Sequence, residues 1–174
     1  MHNIDIIVQN YFSLARTSSF TEYMYILSNF FDITGYSVAL FFCFVFLIYL
    51  IRGKKYSLLF IITILVTTVS VYLLKIFFNV SRPIDGVISA FGQSFPSFHA
   101  TISSVFFIML MYVFDDYFSS FFRVLFNTIC IVILFSVAFS RVYLGVHWVS
   151  DVASGVIFGG LISYVSILIF RKYS

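Results

Sequence analysis

Hydrophobic residues fall along the chain in long runs separated by short polar stretches. Thr34 to Ile51 is apolar apart from a few hydroxyls, and Tyr56 to Phe78 is a second run, broken only by Lys75 near its end. His99 to Phe114 is shorter but apolar, and Phe122 to Ser140 and Val152 to Phe170 complete the set. A helix needs about 20 apolar residues to cross a bilayer. The pattern therefore predicts five spans in an all-α, integral membrane helical bundle. The first 33 residues differ, mixing Asn3, Asp5, Gln9, Arg16, Glu22 and Asp32 with Ile, Phe, Tyr and Met. They read as an amphipathic, interfacial segment, with a sixth, poorer span as the alternative. The chain divides accordingly into an interfacial segment (1–33) and a transmembrane core (34–174). The N-terminus lacks the positive region that opens a cleaved secretion signal.

Composition agrees with this pattern. Of 174 residues, 61% are hydrophobic, 22% aromatic and only 10% charged, against about 25% charged in soluble domains. So few charges cannot cover a soluble protein of this length, and lipid is the expected solvent. The net charge of +3 is small, and no basic stripe tracks a phosphate backbone, so a nucleic-acid partner is not expected. Cys43 and Cys130 lie inside apolar runs and read as small hydrophobes rather than a disulfide or metal pair. Gly155 and Gly159 form a small-xxx-small pair in the fifth span, which favours close packing within the bundle.

The charges divide by side. Arg52, Lys54 and Lys55 lie between the first two spans, Arg123 flanks the fourth, and Arg171 and Lys172 follow the fifth. A five-span topology puts all of these on one side, the positive-inside pattern of a cytoplasmic face. Lys75, Arg82 and Arg141 then fall on the outer side. Positive charge there needs a reason, and an anion to bind supplies one.

The outer-side residues come in three groups. Lys75 precedes Arg82 by seven residues, two helical turns, so both can project from one face. Asn79 suits a helix C-cap, Pro83 forbids continuation, and Asp85-Gly86 and Gly92 signal a short loop. Pro96 then suits the first turn of a helix and Ser97 its N-cap. The free backbone N–H groups of Phe98, His99 and Ala100 would form an anion site at that helix start. Ser140 and Arg141 end the fourth span, and His147 and Asp151 open the fifth, four apart and so on one helical face. Trp148, Tyr143, Phe91 and Phe95 fit an aromatic belt at the outer interface. Taken singly, each feature has a plain explanation: a Lys near a helix end snorkels, a His–Asp pair stabilises a helix, an Arg anchors a headgroup. What carries weight is convergence. Two of three His residues and three basic residues gather on one membrane face, at the ends of separate helices that short loops hold together. Ionisable residues at membrane depth are functional candidates.

The order Lys75-x6-Arg82-Pro83, then Pro96-Ser97-Phe98-His99, then Ser140-Arg141-x5-His147-x3-Asp151 resembles the three-part signature of the type-2 phosphatidic acid phosphatases. It spans residues 75–151 with internal spacings intact. In one position the chain departs: the family commonly has Gly between the Ser and His of the middle motif, where this chain has Phe98. The family core usually has six membrane helices, one more than the five spans expected here.

The resemblance implies a metal-independent membrane lipid phosphatase with no cofactor, acting on a lipid phosphate or diphosphate. It implies that Lys75, Arg82 and Arg141, with Ser97 and the Phe98 backbone, hold the phosphate. His147 would be the nucleophile, forming a phosphohistidine, with Asp151 on its other ring nitrogen. His99 would protonate the leaving oxygen and then help water attack. The carboxylate at i+4 is what favours His147 over His99 as nucleophile. The expected substrate is undecaprenyl diphosphate, since a chain this short can read little beyond phosphate and a long tail. The expected setting is a bacterial cytoplasmic membrane with the site on its outer face. Competing substrates are phosphatidylglycerophosphate, phosphatidate and lipid A. A non-enzymatic lipid-binding protein is the alternative of another class. A vanadate-using haloperoxidase is disfavoured by the hydrophobic content.

Overall fold

A computed structural model describes residues 3–32 and 35–173. Seven helices follow in order: α1 (Asn3–Ala15), α2 (Ser18–Asn29), α3 (Gly35–Arg52), α4 (Lys54–Phe78), α5 (Phe98–Phe114), α6 (Ser120–Tyr143) and α7 (Val149–Tyr173). No strand occurs among the described residues. In hydrocarbon every backbone polar group must be satisfied within its own segment, and a helix does this. α3, α4, α6 and α7 are each long and apolar enough to cross a bilayer, and α5 is apolar but only 17 residues long, about 26 Å. These five helices follow the five expected apolar runs, four of them long enough to span and α5 shorter. The start of the first span at Thr34 and the expected division between residues 33 and 34 lie outside the described residues.

Hydroxyls inside the spans are satisfied locally. Thr63, Thr67 and Thr68 each donate to the carbonyl four residues earlier, at 2.8, 2.7 and 2.9 Å, which lets a polar side chain sit in a lipid-crossing helix. The basic residues expected to share a face do so. At one end of the bundle Arg52 pairs with Asp116 and lies over the Tyr56 ring, Arg171 lies over Tyr112, and Arg123 donates to the Asp115 carbonyl at 3.3 Å.

The centre of the bundle is α5, packed chiefly against α7 and α6 and then α4. Val105, Met109 and Val113 are fully buried in its lower half. Its upper half carries Ala100, Thr101, Ser103 and Ser104, also fully buried, and there α7 offers glycines. A Cβ on Gly155 would stand 2.9 Å from the Ser97 carbonyl, and one on Gly159 would stand 2.6 Å from the Thr101 carbonyl. Both contacts are with backbone, so neither can be relieved by turning a side chain. The small-xxx-small pair thus serves packing within the bundle, and it draws the start of α5 against the start of α7.

The N-terminal segment forms two helices rather than one continuous span. At 13 and 12 residues, each is under about 20 Å long, short of a ~30 Å hydrocarbon core. α1 is polar inward: Asp5 and Gln9 are 4% and 5% exposed, while Ile7 and Leu14 are 66% and 89% exposed. Asp5 accepts the Ser150 N–H at 2.9 Å and its hydroxyl at 2.8 Å, satisfying an orphan donor in the first turn of α7. Between α1 and α2, Arg16 donates to the Tyr143 carbonyl at 2.8 Å and the Asp85 carbonyl at 2.7 Å. The segment therefore braces the helix ends on which the candidate chemistry sits.

Gly155→Ala and Gly159→Ala should each destabilise the protein by about 1–3 kcal/mol, the cost of overpacking. Gly160→Ala, whose Cβ would meet only Ile108 at 3.8 Å, should be tolerated. Thermal unfolding in detergent separates the three variants.

Candidate active site

The site is built where α4 ends, α5 begins, α6 ends and α7 begins. Asn79 caps α4 in a left-handed conformation (φ 47°), its N–H bonding the Lys75 carbonyl, as expected of a C-cap. The chain then runs without regular structure from 79 to 97. Arg82 lies in this extended stretch, so it does not share a helical face with Lys75 as the seven-residue spacing suggested. The loop brings it back instead. Arg82 donates to the carbonyls of Gly92 (2.9 Å), Phe91 (3.0 Å), Gln93 (3.2 Å) and Val146 (2.7 Å), and to His147 Nε2 at 3.1 Å. Lys75 donates to the carbonyls of Gln93 (2.6 Å) and Ser94 (3.3 Å). The two cations fold the loop over the bundle end.

His147 is fully buried and lies in the turn between α6 and α7, not in the helix. Trp148 is the residue before α7, and its N–H donates to Asp151 Oδ2 at 2.9 Å. Asp151 thus completes half a capping box from the third helical position. The same oxygen accepts the Ser94 hydroxyl and stands 3.4 Å from His147 Nδ1. Ser94 Oγ is 3.2 Å from that nitrogen. The contact between His147 and Asp151 therefore runs mainly through Ser94. Because Ser94 gives its proton to the carboxylate, its oxygen accepts from Nδ1–H. The proton on Nδ1 leaves a lone pair on Nε2, the nitrogen that faces Arg82.

The start of α5 completes the group. Ser97 occupies the N-cap position but its side chain makes no capping bond. Its Oγ is buried without a protein partner, and its N–H donates to the Asp151 carbonyl at 3.1 Å. Pro96 stands before the helix and follows a cis peptide bond, rather than filling the first turn. The N–H groups of Phe98, His99 and Ala100 precede the first intrahelical bond, from Thr101 to Ser97 (3.0 Å), and so remain the orphan donors of a helix start. His99 is buried, with Nε2 2.7 Å from Asp32 Oδ1. Arg141 is buried in the last turn of α6. It donates to the Ser28 hydroxyl, and its Nε is without a protein partner. The Phe98 side chain lines an apolar groove of about 460 Å³ between α3, α4 and α5, whose wall also includes Asp32.

Burial pushes the His147 imidazole well below 6.5, and the charges of Arg82, Arg141 and Lys75 act in the same direction. Burial also lowers Arg82, with the Asp151 carboxylate opposing. The hydrogen bond from His99 holds Asp32 below its usual carboxylate value. The geometry thus gathers three cations, buried hydroxyl and amide donors, and a neutral imidazole whose Nε2 carries a lone pair. Such a set can hold a multiply charged anion and present a nitrogen nucleophile to it.

Lys75, Arg82, Ser97, His99, Arg141, His147 and Asp151 all reach this end of the bundle. Two of the aromatics expected at the outer interface, Trp148 and Tyr143, are instead buried. Trp148 Nε1 donates to the Ser81 carbonyl at 2.8 Å, and the Tyr143 hydroxyl accepts the Thr17 N–H at 3.2 Å. Three partners were not visible in the motifs. Ser94 sits in a loop with nothing to mark it, and Ser28 is one hydroxyl among many in the N-terminal segment. Asp32 gave a faint signal as an acid at the edge of the first apolar run.

Residues 56–174 match the family model described as the PAP2 superfamily. The fold is similar to a solved structure described as the first transmembrane PAP2 type phosphatidylglycerolphosphate phosphatase from Bacillus subtilis. That likeness has a TM-score of 0.89 and 23% identity, and covers 98% of this chain and 86% of that one. It is also similar to LpxE of Aquifex aeolicus, with a TM-score of 0.74, 21% identity and 94% of each chain covered. At these identities the two likenesses bear on fold. No curated protein matches the sequence.

In protein labelled with ¹⁵N-histidine, His147 should remain neutral at pH 6, with its proton on Nδ1. Because its value is depressed, protonation sets in only further into acid. An imidazolium signal from His147 at pH 6 would contradict this arrangement.

Proposed function

The chain belongs to the PAP2 superfamily, and on that premise we propose that it is a metal-independent lipid phosphatase working through a phosphohistidine on His147. One observation carries the reading: His147 Nε2 has its lone pair directed at the Arg82 guanidinium, while Nδ1 is tied through Ser94 to Asp151. Arg82 lies directly against Nε2, so a phosphate that takes the place of its loop carbonyls on the guanidinium comes within reach of Nε2. Lys75 and Arg141 add charge, and Ser97 Oγ, Arg141 Nε and the first N–H groups of α5 add unpartnered donors. The charge that a divalent metal would otherwise neutralise is met by side chains.

The reaction proceeds in two displacements. His147 Nε2 attacks phosphorus as the bond to the leaving oxygen breaks, and His99 gives that oxygen a proton. Asp151, through Ser94, stabilises the charge that develops on the His147 ring. Water then attacks the phosphohistidine, returning a proton to His99, and the N–P bond breaks to release phosphate. A non-enzymatic lipid-binding protein would have no use for an oriented Nδ1–Ser94–Asp151 chain behind an unprotonated Nε2.

For the substrate we favour undecaprenyl diphosphate, presented at the outer face of a bacterial cytoplasmic membrane. The groove beside Phe98 supports this reading. It is lined almost wholly by apolar side chains, among them Phe31, Phe41, Phe44 and Phe106, and Phe98 fills part of its catalytic end. A single prenyl chain fits that narrowed end better than the two chains of a glycerolipid. The likeness to a phosphatidylglycerolphosphate phosphatase makes that lipid the main competitor, followed by phosphatidate and lipid A.

His147→Ala should lower kcat by at least about 10³-fold and His99→Ala by about 10²–10⁴-fold, with unfolding temperatures near wild type and activity retained in EDTA. Phosphate release from undecaprenyl diphosphate, phosphatidylglycerophosphate and phosphatidate reads out both the variants and the substrate. Full turnover by His147→Ala would end the assignment. Phe98→Gly should shift kcat/KM toward the two-chain lipids by about tenfold; an unchanged ratio would remove Phe98 as the feature that selects the tail.

A further inference from the structure

We propose that Asp32 is the positioning residue for His99, so that the N-terminal segment supplies a working part of the reaction centre. The inference rests on the reading above, in which His99 is the proton donor. Asp32 lies between α2 and α3, 67 residues from His99 in sequence. Its Oδ1 accepts His99 Nε2–H at 2.7 Å, the length of a charge-assisted bond. The backbone holds the carboxylate in place from both sides. The Asp32 N–H donates to the Asn29 carbonyl at 3.1 Å, and the Ser37 hydroxyl donates to the Asp32 carbonyl. The side chain is 38% exposed and that of His99 only 9%, so the carboxylate reaches from the site's edge to a histidine otherwise enclosed. The bond from His99 and the nearby Arg141 charge keep Asp32 ionised.

The chemistry follows from which nitrogen is taken. With Nε2–H committed to Asp32, Nδ1 is the ring atom that exchanges protons with substrate. Binding of the anionic substrate brings a proton onto Nδ1, and when the P–O bond breaks the leaving oxygen receives the electron pair and takes that proton. When water attacks, Nδ1 takes a proton back. In each protonated state the ring is a cation among Arg82, Arg141 and Lys75, and the Asp32 carboxylate offsets that repulsion. His147 is oriented at Nδ1 and works at Nε2; His99 is oriented at Nε2 and works at Nδ1. Asp32 also lines the apolar groove beside Phe98.

A purely structural Asp32 would only tie the α2–α3 junction to α5. The test uses the full chain in detergent, with the best substrate of the lipid panel. Asp32→Asn keeps an acceptor and removes the charge; Asp32→Ala removes both; Asp32→Glu restores the carboxylate. The expected result is a kcat about 10²-fold lower in Asn and Ala, KM within about twofold, unfolding temperature near wild type, and partial recovery in Glu. The ¹⁵N spectrum should show His99 as the Nε2–H tautomer in wild type and as a mixture in Asp32→Ala. Unchanged kcat, a loss confined to KM, or a loss that only follows lowered stability would overturn the role of Asp32. Full activity in His99→Ala would instead bring down the parent reading.

Discussion

The approach of α5 to α7 is the constraint on which the rest depends. Backbone carbonyls of Ser97 and Thr101 press against Gly155 and Gly159 with no room for a Cβ. That contact sets the Ser97 N–H on the Asp151 carbonyl. It thereby fixes the middle group of polar residues relative to the last one to within a hydrogen bond. Residues on loops alone would leave this distance loose, and a site that must align a nucleophile with a leaving group tolerates little slack.

Around this contact the cations of the site are held by hydrogen bonds, with Arg141 Nε left unpartnered. Burying Lys75, Arg82 and Arg141 at a membrane boundary is costly unless each is paired or hydrogen-bonded. Arg82 and Lys75 are met by loop carbonyls, which satisfy donors without cancelling charge. Only Asp151 and Asp32 bring negative charge nearby, so three cations face two carboxylates and the site keeps about one positive charge with both histidines neutral. A phosphate dianion suits that excess. Burial, reinforced by this excess of positive charge, keeps His147 unprotonated.

The helical core was legible because lipid imposes a simple rule: long apolar runs must be helices, and α3 to α7 follow those runs. The residues of the site were legible because so few polar side chains interrupt them. What could not be read was how the loops return. The spacing of Lys75 and Arg82 suggested one helical face, but Pro83 and the capped Asn79 end the helix first, and Arg82 arrives by a loop. His147 and Asp151 at i, i+4 suggested a helical pair; the capping of α7 by Asp151 leaves His147 in the turn, where Ser94 can stand between them. Asp32 and Ser28 lie beyond the reach of spacing arguments altogether. Their partners, His99 and Arg141, are 67 and 113 residues away; packing of α2 against α6 brings Ser28 to Arg141, and the α2–α3 junction brings Asp32 to the start of α5.

The central claim is that His147 carries the phosphoryl group. The most direct test is rapid mixing of the protein with lipid substrate, quenching in alkali, where phosphohistidine survives, and peptide mass analysis. The account predicts one added phosphoryl group on the peptide containing His147, formed and lost at rates compatible with turnover, and absent from His147→Gln. A phosphoryl group on His99 instead, or full turnover with no covalent intermediate on any histidine, would contradict it.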